Sequence, residues 1–351
     1  MKEAGKITKT DFEKFFAGKL GADREEVLTG PSFGVDVSVI DLGSNKAMLL
    51  TSDPLSLIPS LGLQESAWLS VHLMANDMAT TGFAPMYGQF VLNLPLSLTE
   101  KDFKTYWEYI HKFCRDINVS ITGGHTGSIE GQNSTIAGGG TFITVAERDK
   151  VLTSKNARAG DFILMTKQCA ISSSAILAMS FPQTVKSKLG NELYLNACDL
   201  FYKTSSLQEA LITSEFNSES TVVSSMHDVT EGGVLGAVYE MAVASGKGIR
   251  IDNSKLAIKT TEEQICRLFS LDPRYCIGAG SMIITVEKNA ANTLITALAK
   301  NNIACTIIGE VVEPDQGIKI LDHNGELQPL LYQQKDPYWA AFFKALKNNW
   351  N

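Results

Sequence analysis

Residues 221–244 read TVVSSMHDVTEGGVLGAVYEMAVA, and three local patterns follow one another along them. The first five residues suit a short strand over 221–225. From Val234 onward apolar residues recur at helical spacing, as Val234, Leu235, Val238, Met241 and Ala242, which predicts a helix over 234–244. Between the two lies Met226-His227-Asp228-Val229-Thr230-Glu231-Gly232-Gly233. Thr230 is placed to cap the helix, and the paired glycines let backbone approach a ligand closely. Strand, acidic turn, glycines and helix N-terminus together suit a phosphate or Mg²⁺ site, because unpaired N–H groups and the helix dipole favour anions. One motif of this kind does not by itself fix a function.

Outward from that stretch the alternation continues. Toward the C-terminus the patterns give a strand at 248–251, a helix at 261–269, a strand at 281–286, a helix at 290–301 and strands near 307–311 and 317–321. Toward the N-terminus they give a strand at 161–166, a helix around 173–179 and a long helix over 192–213. The charged, small-residue stretch ERDKVLTSKNARAG at 147–160 separates this half from another. That other half opens with strands at 37–42 and 46–51 around Gly43-Ser44-Asn45, an antiparallel pair. A helix at 64–81, a strand at 87–94, a helix at 100–117 and strands at 119–122 and 140–145 complete it. The order is α+β, with helices able to cover one face of a mostly antiparallel sheet. The predicted layout is a leader over residues 1–30, an N-terminal domain over 31–150, a C-terminal α+β domain over 151–330 and an amphipathic tail over 331–351.

Composition narrows the function classes. The 351 residues are 44% hydrophobic and 20% charged, enough apolar content for two cores. A formal net charge of −7, without a Lys/Arg run, argues against a nucleic-acid partner. A small anionic ligand therefore calls for a bridging cation. The opening MKEAGKITKTDFEKFF carries charges where a signal peptide needs an apolar core, and no apolar run approaches a membrane span, so a cytoplasmic protein without a membrane partner is expected. Six singly scattered cysteines, without CxxC spacing, read as reduced and mostly buried thiols.

Further carboxylates stand at element ends. Asp36 precedes the first strand of the hairpin and Asp53 follows the second, so the hairpin brings the two flanks together. Either is also a common turn or capping residue. Asp77 follows Asn76 inside the helix at 64–81 and lies three and four positions from Met74 and Leu73, which aims it toward the core side. A carboxylate there needs a metal, a cation or several donors. Gly123-Gly124-His125-Thr126-Gly127 and Gly138-Gly139-Gly140 suit either close approach to a ligand or sharp turns in a twisted sheet, and His125 either a ligand, a general base or a structural hydrogen-bonder. Mg²⁺ takes a few carboxylates plus substrate phosphates, and aspartates spread over two domains suit a phosphate-handling enzyme.

Together, Gly34-Val35-Asp36-Val37-Ser38-Val39, Thr51-Ser52-Asp53, Asn76-Asp77-Met78-Ala79 with Gly82-Phe83-Ala84-Pro85, Gly123-Gly124-His125-Thr126 and His227-Asp228-Val229-Thr230-Glu231-Gly232-Gly233 occur in an order that resembles the superfamily of aminoimidazole ribonucleotide synthetase (PurM) and the hydrogenase-maturation protein HypE, over roughly residues 30–325. The resemblance implies a two-domain PurM-like fold whose N-terminal sheet domain dimerises through a barrel-like interface. It also implies ATP with its phosphates bound through Mg²⁺ to Asp36, Asp53, Asp77 and Asp228, and Asn76, Gly123, Gly124 and His125 close to the nucleotide.

The sequence is most similar to HypE-like, AIR-synthase-related members, which implies ATP-dependent activation of an oxygen of a small amide or carboxamide substrate. A small-metabolite kinase of the thiamine-monophosphate kinase type and a non-catalytic nucleotide-binding scaffold are the alternatives. A homodimer and a maturation-protein partner are expected. HypE resembles a dehydratase with a carbamoyl-carrying terminal cysteine, whereas this sequence ends Asn348-Asn349-Trp350-Asn351 and has Pro273-Arg274-Tyr275-Cys276 internally. The stretch Lys167-Gln168-Cys169-Ala170-Ile171-Ser172 lacks the glycines common in the family after this strand, and the tail over 336–346 has a helical apolar face.

Overall fold

The computed structural model describes residues 5–218 and 220–351, and the chain forms two compact units. A first helix, α1 (Lys9–Phe16), belongs with residues 5–25, 31–35, 152–218 and 220–351; residues 26–30 and 36–151 form the other unit.

The unit of residues 26–30 and 36–151 holds one sheet. Its strands are β1 (Val27–Thr29), β2 (Ser38–Gly43), β3 (Lys46–Ser56), β4 (Tyr87–Pro95), β5 (Ser120–Ile129) and β6 (Ile136–Glu147), in the order β1-β2-β3-β6-β4-β5. Neighbours are antiparallel except β4 and β5, which run parallel. Helices α2 (Leu63–Ala79) and α3 (Glu100–Asp116) supply the other half of its core. Phe90, Leu92 and Leu94 of β4 are buried in period two while Tyr87, Gln89 and Val91 are exposed, so one face of the sheet is sealed. Leu49, Leu55, Phe90 and Phe142 of the sheet and Met74, Met78 and Ile110 of the helices are buried in this unit, each stabilising the fold by roughly 1.5–3 kcal/mol. The exposed face carries Leu42, Tyr87, Val91, Ile129, Ile136 and Val145.

The strands differ from expectation in length. Both glycine-rich stretches lie inside strands, Gly123–Gly127 in β5 and Gly138–Gly140 in β6, rather than in turns. Asp53 lies inside β3, opposite Gly140 of β6. Pro54 does not end β3, because β2 pairs with it only as far as Leu50 and a missing N–H is tolerated on an edge.

The larger unit holds β7 (Phe162–Thr166), β8 (Val223–Asp228), β9 (Gly248–Asp252), β10 (Met282–Val286), β11 (Cys305–Val312), β12 (Ile318–Leu321) and β13 (Leu327–Pro329), in the order β13-β12-β9-β11-β7-β10-β8. Its later helices are α4 (Ile171–Ser180), α5 (Pro182–Leu189), α6 (Asn191–Cys198), α7 (Leu207–Asn217), α8 (Gly233–Ser245), α9 (Thr260–Leu268), α10 (Ala291–Ala299) and α11 (Pro337–Lys347). The apolar face read in the tail is part of this core, with Tyr338, Phe342 and Ala345 of α11 buried and the Phe342 ring tilted against Phe181, centroids 5.3 Å apart. The single long helix expected over 192–213 is instead α6, a 3₁₀ turn at Phe201–Thr204 and α7. The carbonyls of Lys203 and Ser205, which a continuous helix would commit to its own amides, accept from Lys167 Nζ. Both units mix helix and sheet, giving an α+β, two-domain chain.

Candidate functional site

Asp36, Asp53 and Asp77 belong to the unit of residues 36–151 and Asp228 to the larger unit. Along β3 the inward positions are Ala47, Leu49, Thr51, Asp53 and Leu55, so strand period two places a hydroxyl and a carboxylate in a row otherwise apolar. Asp53 is half-buried there, and Thr51 Oγ1 donates to Asp77 Oδ2 of α2 at 2.9 Å. Asp53 and Asp77 thus share the seam between β3 and α2, and Thr51, which sequence reasoning quoted without a role, fixes one of them. Its signal was available in the period-two pattern that puts residues 51 and 53 on one face. Asp36 lies two residues before Ser38, where β2 begins and its pairing with Leu50 of β3 ends. Asn76, expected to border a nucleotide, is fully enclosed, because it sits on the side of α2 packed into the core. Two carboxylates and a hydroxyl are hard oxygen donors of the kind Mg²⁺ takes, so the residues present fit that ion.

The glycines divide differently. A Cβ on Gly124 would lie 1.8 Å from Phe90 O, and one on Gly138 would lie 1.9 Å from Val91 O, both at backbone φ reserved for glycine. A Cβ on Gly140 would meet the Met74 side chain at 2.6 Å. Strand and helix packing therefore account for these three. Around Gly123 the nearest atoms, of the Gln89 side chain, are 4.0 Å away. The pairings Asp53↔Gly140, Gly140↔Phe90 and Phe90↔Gly124 put Gly124 on the same row as Asp53, three strands and about 14 Å across the sheet. His125 pairs with the exposed Val91 and faces away from the helices. Within this unit, Gly123, Gly124 and His125 are not gathered with Asp53 and Asp77.

In the larger unit Asp228 is the last residue of β8 and is 2% exposed. Beside it, His227 Nδ1 lies 2.9 Å from Ser154 Oγ, and Nε2 lies 3.4 Å from Glu240 Oε2, whose other oxygen accepts from Tyr332 Oη at 3.0 Å. The start of α8 departs from expectation. Thr230 does not cap the helix through its side chain; Gly232, in the left-handed region, is the cap residue. The helix N-terminus is already supplied with acceptors: Gly232 N–H donates to Asp336 Oδ2 at 2.6 Å, Gly233 N–H to Thr230 O, and Leu235 N–H to Arg274 O. Glu231 is held as well, by Trp339 Nε1 at 2.9 Å and the Lys6 amide at 2.6 Å. A Cβ on Gly233 would lie 2.5 Å from Arg274 O, so that glycine serves chain packing. The anion cradle expected there is occupied by the chain's own carboxylate. Burial lifts Asp336 to about 7 against the pull of the backbone amides that donate to it.

The loop after β7 reaches glycine-like geometry without glycine, since Lys167 (φ 52°) and Ala170 (φ 56°) both adopt the left-handed region. Cys276 is fully buried with Sγ 3.8 Å from Cys266 Sγ, and that neighbour together with burial holds its thiol well above the ordinary range. It is a protonated, enclosed thiol.

Known proteins resemble this chain in sequence and fold. The model of the AIR synthase related protein, N-terminal domain, matches residues 34–145, and that of the C-terminal domain matches residues 158–321. A selenide, water dikinase of Methanococcus maripaludis is 26% identical over 264 residues, covering 72% of this chain and 76% of that protein. A carbamoyl dehydratase HypE of Bradyrhizobium diazoefficiens is 24% identical over 295 residues, covering 80% and 79%. The crystal structure of a hydrogenase maturation protein HypE in complex with ATP superposes with a TM-score of 0.69 at 17% identity, over 95% of this chain and 94% of that one.

Proposed function

The chain belongs to the AIR synthase related family, and we propose that it is an ATP- and Mg²⁺-dependent, HypE-like enzyme that activates an oxygen of a small amide or carboxamide by phosphoryl transfer. The observation that carries this reading is the seam of Thr51, Asp53 and Asp77, hard oxygen donors on a rigid strand and helix. Asp53 and Asp77 would hold Mg²⁺ and through it the nucleotide phosphates, and the family likeness extends that role to Asp36 and Asp228. Magnesium would supply charge neutralisation on the phosphates; the protein's part is positioning. Relatives named carbamoyl dehydratase and a neighbour crystallised with ATP support the nucleotide and the substrate class. The enclosed thiol of Cys276 argues against that internal cysteine as a group carrier.

The exposed apolar face of the smaller unit's sheet supports a symmetric homodimer, and the HypE–HypF complex among the structural neighbours supports a maturation-protein partner. Among the described residues no helix is long and apolar enough to cross a membrane. Calorimetric titration with Mg-ATP tests the site: wild type binds, and Asp53→Asn and Asp77→Asn each weaken binding at least about tenfold with the fold retained. A wild type that ignores Mg-ATP, or two variants that bind like wild type, would sink the reading.

A further inference from the structure

Four oxygen atoms converge on the Lys167 ammonium: the carbonyls of Lys203 at 3.0 Å, Ser205 at 2.6 Å and Gly280 at 3.0 Å, and Glu209 Oε1 at 2.5 Å. They come from three separate places, namely the 3₁₀ turn with the break that follows it, the first turn of α7, and the residue pair leading into β10. Glu209 is 1% exposed. The three protons are directed at the three carbonyls, and the fourth oxygen, Glu209 Oε1, adds opposite charge to the cage rather than a further directed bond. The surrounding chain is shaped to it. Gly280 (φ 117°) brings its carbonyl in where any Cβ would lie 2.4 Å from Lys203 O, and Lys167 itself adopts φ 52° to deliver its stem. Burial pulls the ammonium below the ordinary lysine value while the charge of Glu209 opposes that pull.

We propose that this cage is a monovalent-cation site in which Lys167 is the resident, covalently tethered cation. The cage carries one negative charge, and its spacing of 2.5–3.0 Å exceeds the roughly 2.0–2.1 Å of Mg²⁺ and most of the 2.3–2.6 Å range of Ca²⁺. Backbone carbonyls supplemented by one carboxylate are the ligands that replace the hydration shell of an ion such as K⁺. The loop Lys167–Ser172 is therefore not a degraded version of a glycine loop. It carries a charge that makes the α7 region independent of monovalent salt.

The test is thermal unfolding of the full chain in choline chloride, NaCl and KCl at equal ionic strength. Wild type melts at the same temperature in all three. Lys167→Ala, which empties the cage, melts lower in choline by on the order of 10 °C, and recovers at least half of that loss in KCl or with ethylammonium added. Lys167→Met, whose side chain fills the space without charge, melts low in every salt. Equal melting of Lys167→Ala in all salts, wild-type stability of that variant in choline, or a wild type as potassium-sensitive as the variant would each overturn the proposal. Should neither single variant fold, Lys167→Met with Glu209→Gln removes both charges and is expected to fold and be blind to salt; its failure to fold also counts against the cage.

Discussion

The seam of Asp53 and Asp77 and the loop of Asp228–Gly233 look alike in sequence, each an acidic residue beside a helix, yet the chain treats them in opposite ways. At the seam a hydroxyl fixes one carboxylate and the second stays half-buried on the strand face. At the loop the amide of Gly232, the carboxylate of Glu231 and the space beside Gly233 are taken by Asp336, by Trp339 and Lys6, and by Arg274. Glycine and a helix dipole make an anion site only where the chain does not bring an acceptor of its own. The turn of Glu231–Gly233 is thus a joint that residues near both ends of the sequence hold in place, whereas the seam carboxylates and Asp228 are the residues proposed for the ligand.

The largest effect that can break this contrast is at Gly233. Its φ of 64° costs an L-residue about 1–2 kcal/mol, and the Cβ contact 2.5 Å from Arg274 O adds a backbone clash. Gly233→Ala is expected to destabilise the larger unit by about 4 kcal/mol, read as a lower urea midpoint. A variant within about 0.5 kcal/mol of wild type, the range of an ordinary surface change, would show that the loop has room and that its glycine is there for a ligand.

These requirements were unequally legible. The α+β order followed from apolar periods, because burial on one face imposes period two or 3.6 whatever the distant partners are. What escaped was set by residues far along the chain. Asp336 reaches Gly232 across 104 residues, and Lys167 interrupts the helix read over 192–213 from 36 and 38 residues away. Gly124 was ambiguous because its need arises only from the parallel pairing with β4. Asp53 was misplaced beyond its strand because Pro54 reads as a breaker, and only the early end of β2 makes it tolerable.

A second, smaller effect concerns pH. Asp336 is raised to about 7 by burial, and Asp161 and Glu262 in the same unit are raised, again chiefly by burial. A raised folded-state value means that the native state binds more protons than the unfolded one, so the contribution is full below about pH 4 and lost as pH climbs through 7. The Asp336 part is on the order of 2–4 kcal/mol. Urea midpoints at pH 4.5 and 7.5 should therefore fall more for wild type than for Asp336→Asn, which cannot ionise. Parallel slopes for the two proteins would remove Asp336 as the joint's titrating group.

The smallest effect on stability is expected at Gly123, and it sharpens the contrast most. Gly124, Gly138 and Gly140 are forced by neighbouring backbone or by Met74, but a Cβ on Gly123 meets nothing closer than the Gln89 side chain at 4.0 Å. Packing gives no reason for glycine at that position, and the two physical reasons that remain are close approach of a ligand and the bulge over residues 121–123 of β5. Gly123→Ala should change stability by less than about 0.5 kcal/mol, the range of ordinary surface substitutions. If the edge strand borders the nucleotide, as the family likeness implies, the same methyl should weaken Mg-ATP binding about tenfold, the opposite signature to Gly233→Ala. Unfolding and calorimetry on the two variants separate the cases. Unchanged affinity in Gly123→Ala would confine the nucleotide to the Asp53–Asp77 seam and leave β5 a sheet edge without a ligand role.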